Sequence, residues 1–233
     1  MSRLIDFHSH ILPGADHGSS GIHTSLKQIS IIHDAGVDTV VATPHFYPHV
    51  INVERFLALV NSTAEELISH VKEPSVNICL GAEVLYCDRL ESMEGLEQLC
   101  IRGTRVLLLE LPMEDTWSDE LFYSVKTLAK KYTVVLAHID RYIRRHKSDI
   151  EELLDLGAYA QINAYAFASM GTRHKLASFL EGDRVVALGS DLHGADTKSY
   201  EKFILAKKRL GDIHDQIMER TAALLSNAEY LNK

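Results

Sequence analysis

The sequence predicts an α/β fold in which helices connect parallel strands that close into a barrel. Short apolar runs alternate with longer stretches of helical period, which is typical of a parallel sheet. Nearly every apolar run also ends in a polar residue able to bind a metal ion or form a hydrogen bond. In a barrel every strand brings its C-terminal end to one rim, whereas an open sheet concentrates such residues at one switch point. The pattern therefore favours the barrel.

The elements follow from these periodicities in chain order. Seven apolar runs predict strands, at residues 4–7, 37–42, 76–80, 105–109, 133–137, 159–162 and 185–188. Eight amphipathic stretches predict helices, at residues 20–35, 53–71, 87–99, 118–131, 147–156, 171–180, 198–209 and 213–226. Gly36 and Gly157 stand where glycines that end helices are expected. We expect one domain over residues 1–233, because a chain of this length with 46% hydrophobic residues can build one large core.

Composition excludes several classes of function. A formal net charge of −8 disfavours non-specific binding to nucleic acid or to anionic membranes, which requires clustered Lys and Arg. The three cysteines have no C-x-x-C spacing, so they predict neither a disulfide framework nor a thiolate zinc site. A cysteine-dependent phosphatase needs an arginine six positions after its cysteine, and none of Cys79, Cys87 or Cys100 has one. No run is long enough to span a bilayer and residues 1–20 do not resemble a signal peptide, so we expect a soluble, cytoplasmic protein without membrane insertion.

Metal-binding residue types recur where the predicted strands end. His8 and His10 lie two residues apart on the first strand, so their imidazoles share a face and can point at one ion. Such a pair alone is more often solvated or hydrogen-bonded. Glu83 and Glu110 follow apolar runs, where an ionised carboxylate is costly unless it is paired or bound to metal. The same residue types stand at or near the other predicted strand ends, namely Asp16, His17, His45, His138, Asp191 and His193.

Other polar residues have simpler interpretations. Seven further histidines, at positions 23, 33, 49, 70, 146, 174 and 214, are interpreted as surface or structural residues. The short basic cluster of Arg141, Arg144, Arg145 and Lys147 is typical of the solvated first turn of a helix. Five aromatic residues in the predicted rim loops indicate an entrance wide enough for an aryl group: Phe46, Tyr47, Tyr142, Tyr165 and Phe167.

Six motifs resemble, in order, those of the PHP (polymerase and histidinol phosphatase) superfamily. They are I-D-F-H-S-H-I-L-P-G, A-T-P-H, G-A-E, L-L-L-E, A-H-I-D-R-Y and G-S-D-L-H. Within it, the first motif and A-H-x-x-R-Y resemble the manganese-dependent protein-tyrosine phosphatases encoded with bacterial capsular and exopolysaccharide machinery. The resemblance implies a distorted, TIM-like (β/α)7 barrel of seven parallel strands with a trinuclear metal site at its C-terminal rim.

Site residues are implied by the same resemblance. The usual Asp-Asp-Gly after the first strand is Asp16-His17-Gly18 here, so we expect His17 to coordinate metal and Asp16 to support it. The family's basic residue after D-x-H, usually arginine, is best matched by Lys198, which offers a point charge in place of a bidentate fork. Three divalent ions are implied, manganese first, with iron or zinc open. The implied ligands are His8, His10, His17, His45, Glu83, Glu110, His138, Asp191 and His193.

The expected reaction is hydrolysis of phosphotyrosine by a metal-bound hydroxide, because coordination lowers the pKa of water towards neutrality. Arg141, three residues after His138, is expected to pair with phosphate oxygens in the transition state. The resemblance implies an autophosphorylated bacterial tyrosine kinase of capsule or exopolysaccharide synthesis as substrate partner, with phosphate as product. Two alternatives stay open: a small-molecule phosphomonoesterase of the histidinol phosphatase type, and a non-catalytic PHP accessory module. The oligomeric state is not predicted.

Overall fold

Parallel strands alternate with helices in the computed structural model, which describes residues 3–71 and 76–232. All pairings between named strands are parallel, so the predicted α/β class is confirmed. The strands are β1 (Ile5–Ser9), β2 (Thr39–Ala42), β3 (His45–Phe46), β4 (Asn77–Leu80), β5 (Glu83–Leu85), β6 (Val106–Glu110), β7 (Thr133–Leu136), β8 (Tyr159–Asn163) and β9 (Val185–Gly189).

The strands form two sheets, in the orders β1-β2-β4 and β3-β5-β6-β7-β8-β9. The expected distorted barrel of seven strands is not confirmed, because nine strands in two sheets are present in the described residues. The chain leaves β2 at Thr43-Pro44 before entering β3, and Pro44 has no N–H with which to continue a ladder. It likewise leaves β4 at Gly81-Ala82 before entering β5.

The two sheets meet where β1 runs beside the end of β9. The N–H of Asp191 donates to the carbonyl oxygen of His8 at 2.8 Å, and the N–H of His10 donates to that of Leu192 at 3.2 Å. Gly189 permits this approach, since a Cβ there would lie 2.6 Å from the Cβ of His8. The first and last strands of the chain thus become neighbours.

Seven α-helices connect or cover the strands in the described residues. The predicted helix at 87–99 is wrong: two short 3-10 turns, Leu90–Ser92 and Leu96–Leu99, stand there, because Arg89 and Gly95 have left-handed backbones that interrupt an α-helix. No helix in residues 3–71 or 76–232 has both the length and the hydropathy to cross a membrane. The helices are α1 (Ile22–Asp34), α2 (Val53–His70), α3 (Asp119–Leu128), α4 (Lys147–Asp155), α5 (Met170–Leu180), α6 (Thr197–Leu210) and α7 (Asp212–Leu224).

The strand interiors are apolar up to their C-terminal ends and polar beyond them. Leu107, Leu108 and Leu109 of β6 are fully buried, and the next residue, Glu110, is partly exposed. Val134 and Val135 of β7 are likewise fully buried, ahead of His138. Because parallel strands end on the same side, the polar residues that follow them gather at one rim.

Candidate metal centre

All nine predicted metal ligands contact at least one other member of the set at this rim. We call them the rim cluster. Seven of its members belong to three groups of mutually close donor atoms, within which all the atoms lie no more than 4.8 Å apart. The rim cluster consists of His8, His10, His17, His45, Glu83, Glu110, His138, Asp191 and His193.

The first group of donor atoms lies where β1 meets β9. The Nε2 atoms of His8 and His10 are 3.1 Å apart. Oε2 of Glu83 lies 3.2 Å from Nε2 of His8 and 3.3 Å from Nε2 of His10. Oδ1 of Asp191 lies 3.8 Å and 3.5 Å from the same two nitrogens. Two imidazole nitrogens and two carboxylate oxygens therefore surround one small volume.

The second group consists of His45, Glu83 and Glu110 and lies where β3 and β5 begin and β6 ends, next to His138, which follows β7. Glu83 is its centre: Oε2 is 2.8 Å from Nδ1 of His45, and Oε1 is 2.7 Å from Nε2 of His138. Glu110 faces the same imidazoles, with its oxygens 3.8 Å from His45 Nδ1 and 3.7 Å from His138 Nε2. Glu83 thus contacts the donors of both groups.

A third group consists of imidazoles only. His10, His45 and His193 each offer a ring nitrogen to it. His17, in the loop after β1, contacts this group through its ring, whose centroid lies 4.8 Å from that of His45 and 4.6 Å from that of His193. Its nitrogens belong to none of the three donor groups found in the described residues, so the coordinating role expected for His17 stays a prediction.

The donor set suits a divalent metal ion. Nε2 of His193 is buried without a hydrogen-bond partner among the described residues, a costly state that a bound cation would relieve. Metal bonds of about 2.1 Å place neighbouring ligand atoms roughly 3 to 3.5 Å apart. The distance of 3.2 Å between Nε2 of His8 and Oε2 of Glu83 matches this range. Imidazole and carboxylate without thiolate suit manganese, iron or zinc.

The two glutamates have opposite pKa shifts. Burial and the charge of Glu83 raise the pKa of Glu110 to about 7. Burial also opposes ionisation of Glu83, but the surrounding imidazoles, beginning with His8, outweigh it and hold the pKa of Glu83 well below its usual range. A cation between the two carboxylates would favour the ionised form of both. Burial and the charge of His10 lower the pKa of His193 to about 4, which keeps its imidazole in the neutral form that binds metal.

Asp16 orients His10 from the loop after β1. Its Oδ2 lies 2.7 Å from Nδ1 of His10 and accepts the N–H of His45 at 3.0 Å, while its Oδ1 accepts the N–H of Gly18 at 2.8 Å. The bond to Nδ1 turns Nε2 of His10 towards Glu83. Only glycine fits at position 18, since a Cβ there would lie 2.0 Å from that of His10.

Two buried amide side chains of β8, Gln161 and Asn163, form hydrogen bonds to members of the rim cluster. Gln161 was not predicted as a site residue from the sequence. Oε1 of Gln161 lies 3.2 Å from Nδ1 of His8 and accepts the N–H of His138 at 2.6 Å. Its Nε2 donates to Oδ1 of Asn163 at 2.9 Å, and Nδ2 of Asn163 donates to Oδ2 of Asp191 at 2.9 Å. A glutamine inside an apolar strand, two residues before another amide, was the available signal.

We expect Gln161→Leu to lower metal affinity by about 10- to 100-fold, the usual effect of removing a group that orients a ligand. Leucine is similar in size but accepts no hydrogen bond, so Nδ1 of His8 and the N–H of His138 lose their shared partner. Titration of the metal-free protein with Mn²⁺ measures the effect. Gln161→Glu keeps an acceptor and should lose less, whereas the exposed substitution Gln216→Leu should change nothing. Unchanged affinity in Gln161→Leu would contradict this role.

Two rim residues have strained backbones. His138 and Asp191 have φ angles of 32° and 52°, in the left-handed region that favours glycine. Both conformations are held by hydrogen bonds from the strained residue's own N–H, to Gln161 Oε1 and to the carbonyl oxygen of His8 respectively. Such strain is typical of functional sites, and here it accompanies two side chains that contact the cluster.

The two residues expected to be catalytic lie in different places. Arg141, in the 3-10 turn Ile139–Arg141, forms an ion pair with Asp191, and its Nη1 lies 3.3 Å from Nε2 of His138. Asp191 raises the pKa of Arg141 although burial opposes this, and one third of the side chain remains exposed. Lys198 is exposed near the start of α6, and no described hydrogen bond or ion pair of its side chain reaches the cluster. Its role stays a prediction.

The aromatic entrance is smaller than expected. Phe46, Phe167 and Tyr142 are at most 3% exposed, because they pack into the core, and so they offer almost no surface to an aryl group. The ring of Tyr47 stacks on His45 with a centroid distance of 5.1 Å. Tyr165 is 38% exposed and interacts with Arg141. Two of the five aromatic residues therefore remain to contact an aryl group.

Known proteins resemble this chain over most of its length. The model of the capsular polysaccharide synthesis family CpsB/CapC matches residues 4–224. Tyrosine-protein phosphatase CpsB of Streptococcus pneumoniae is 30% identical over 212 residues, which cover 84% of this chain and 85% of that protein. Tyrosine-protein phosphatase YwqE of Bacillus subtilis is 26% identical over 238 residues, covering 96% and 92%.

Solved structures show the same fold. One described as YwqE from Bacillus subtilis and CpsB from Streptococcus pneumoniae, unique metal-dependent tyrosine phosphatases, matches with a TM-score of 0.83 at 24% identity and covers 97% of this chain and 96% of that one. A β-aspartyl dipeptidase from Fervidobacterium islandicum matches with a TM-score of 0.57 at 12% identity, over 96% of this chain and 75% of that one.

Proposed function

The chain belongs to the CpsB/CapC family of capsular polysaccharide synthesis, and from that premise we propose that it is a metal-dependent protein-tyrosine phosphatase. The observation that carries the proposal is the rim cluster itself, in which buried imidazoles and carboxylates face one another without thiolate or hydroxyl nucleophiles. The matches to relatives named as tyrosine-protein phosphatases cover 84% and 96% of this chain.

The cluster holds up to three divalent ions in this proposal, with manganese as the expected metal. His8, His10, Glu83 and Asp191 would hold one ion, and the group around Glu83, Glu110, His45 and His138 a second. The imidazoles of His10, His17, His45 and His193 favour a third. Three divalent ions would bring six positive charges against three carboxylates, so the centre would attract a phosphate dianion. We also describe the two sheets, joined at β1 and β9, as one distorted (β/α)7 barrel and a single domain.

Bound metal supplies a hydroxide nucleophile at neutral pH and neutralises charge on the phosphate. The protein supplies the rest of the chemistry. Asp16 and Gln161 accept hydrogen bonds from Nδ1 of His10 and His8, which leaves each Nε2 free to bind metal. Arg141 is placed to release Asp191 and bind phosphate oxygens instead, because a planar guanidinium can donate two parallel hydrogen bonds to them. Tyrosine leaves as a phenolate of pKa about 10, so no strong acid is required.

The proposed substrate is phosphotyrosine on a bacterial tyrosine kinase that controls capsule or exopolysaccharide synthesis, in the cytoplasm, with phosphate as product. The family's role in capsular polysaccharide synthesis supports this choice. Tyr47 and Tyr165 offer aromatic contacts to the phenyl ring. Lys198 is proposed as a second positive charge near the phosphate.

Removal of metal tests this function. Protein stripped with EDTA should lose all hydrolysis of a phosphotyrosine peptide and regain it with Mn²⁺, because none of the nine residues of the rim cluster carries a thiol or hydroxyl group that could replace the metal-activated water. The same protein should hydrolyse the peptide much faster than histidinol phosphate. A preference for histidinol phosphate would indicate a small-molecule phosphomonoesterase instead. Less than one equivalent of bound metal, with no activity after Mn²⁺ addition, would indicate a non-catalytic module.

A further inference from the structure

A recess lies beside the rim cluster, and Arg141 is part of its lining. This cavity of about 500 Å³ is walled by the chain that follows β6 and the chain that follows β7, which supply Met113 from one side and Arg141, Arg144 and Arg145 from the other. Arg141 also contacts Asp191 and His138 of the cluster. One side chain thus separates the recess from the proposed reaction centre.

The sequence suggested that these arginines lie in the first turn of a helix, but they do not. Helix α4 begins at Lys147, so Arg144 and Arg145 lie in the turn between the 3-10 segment and α4. Arg145 pairs with Asp115 at 2.5 Å, in a contact that is largely exposed on both sides. Arg144 is exposed and has no hydrogen bond or ion pair with any described residue. Its guanidinium is available to a ligand.

The charge of the recess contrasts with that of the whole chain. Three guanidinium groups line it against a single carboxylate, that of Glu114, whereas the chain carries a formal net charge of −8. Asp191 neutralises Arg141 and Asp115 neutralises Arg145. Neither Arg144 nor Glu114 has an ion pair with a described residue. Arg144 is therefore the guanidinium of the recess that is free to pair with an anionic group of a ligand.

The wall of the recess is fixed before any ligand arrives. Nε2 of His146 donates to the carbonyl oxygen of Glu114 at 2.9 Å, and its ring stacks on Trp117 with a centroid distance of 4.0 Å. The hydroxyl of Tyr142 donates to the carbonyl oxygen of Leu111 at 2.7 Å. These contacts tie the two walls together, so a ligand would have little backbone to order on binding.

We propose that this recess binds a carboxylate side chain of the substrate protein, close in sequence to the phosphotyrosine, through Arg144. The proposal rests on the proposed phosphatase function and names a feature of its substrate. Arg144 follows Arg141 by three residues, which span at most about 10 Å. An acidic residue within about three positions of the phosphotyrosine would therefore reach it.

The test compares two peptides that differ only in one flanking residue, glutamate or glutamine, two positions from the phosphotyrosine. The wild-type protein should show a KM about three- to tenfold lower for the glutamate peptide, with kcat equal within about twofold, because an exposed charge pair contributes modestly to ground-state binding. In Arg144→Gln this preference should disappear, with kcat and the rate on p-nitrophenyl phosphate unchanged. High salt should weaken the preference in the wild type.

Two further variants sharpen the result. Arg184→Gln removes an exposed arginine that pairs with Asp155 and lies just before β9, at the opposite end of that strand from Asp191, so the preference should persist. Arg144→Glu should favour a peptide with lysine at the same position. Retention of the glutamate preference in Arg144→Gln, or equal KM values in the wild type, would overturn the proposal. Failure of the wild type to hydrolyse both peptides and p-nitrophenyl phosphate would overturn the phosphatase function itself.

Discussion

Replacing Asp191 with alanine will reduce phosphatase turnover to background by removing metal from the centre. Oδ1 of Asp191 is the carboxylate oxygen that joins His8 and His10 in one donor group, and its Oδ2 binds Arg141 and Asn163. Burial opposes its ionisation, but His10, His8 and Arg141 outweigh burial and lower the pKa of Asp191. The side chain is therefore an anion at neutral pH, as a metal ligand must be.

Metal content and turnover should fall together in Asp191→Ala. Inductively coupled plasma mass spectrometry on protein purified without chelator measures the first, and phosphotyrosine peptide hydrolysis with Mn²⁺ measures the second. Circular dichroism establishes that the variant is folded. Asp155→Ala is the matched control, because it also removes a carboxylate paired with an arginine, but one that is exposed. Wild-type turnover in Asp191→Ala would remove this residue from the centre.

Replacing Arg141 with alanine will lower kcat by about 100- to 1,000-fold while leaving the metals bound, the effect expected for loss of one donor to a developing oxyanion. The guanidinium contacts Asp191 and His138 from the exposed side of the cluster, so it can leave without opening the donor groups. Arg141→Lys should recover part of the rate, since an ammonium keeps the charge but not the bidentate geometry.

Metal content distinguishes the loss of a phosphate contact in Arg141→Ala from the loss of a metal ligand. Arg141→Ala should retain the metal content of the wild type, and its loss of rate should persist at saturating Mn²⁺. Arg184→Gln should leave both quantities unchanged. An unaltered kcat in Arg141→Ala would exclude the arginine from the reaction, and loss of metal together with rate would make it a support for Asp191 instead.

The sequence-based predictions were most accurate for residues whose chemical type and position in a strand both indicated a metal site. His8 and His10 could be paired because a strand repeats every two residues, and Glu110 stood out because an ionisable side chain ended the buried run of β6. The convergence of these side chains follows from parallel strands ending on one side. The strands predicted at 37–42 and 76–80 match β2 and β4, but the short strands β3 and β5 that follow the breaks at Pro44 and Gly81 were not predicted.

Other features depend on tertiary contacts that the local sequence does not determine. The stretch from 87 to 99 has a helical period, yet the left-handed backbones of Arg89 and Gly95 divide it into short turns. Gln161 became visible as a support only when β8 lay beside His8 and His138. Arg144 and Lys147 are three residues apart in sequence, but only Lys147 belongs to α4. Packing decided each of these cases.

Anomalous diffraction from crystals of the Mn²⁺-loaded protein, measured at the manganese edge, tests the central claim most directly. We predict three peaks at the rim, two of them on either side of Glu83 and within bonding distance of its carboxylate. Peaks that lie away from Glu83, Glu110, His138 and Asp191, or no peaks in protein that hydrolyses phosphotyrosine, would contradict the assignment of this cluster as the catalytic metal centre.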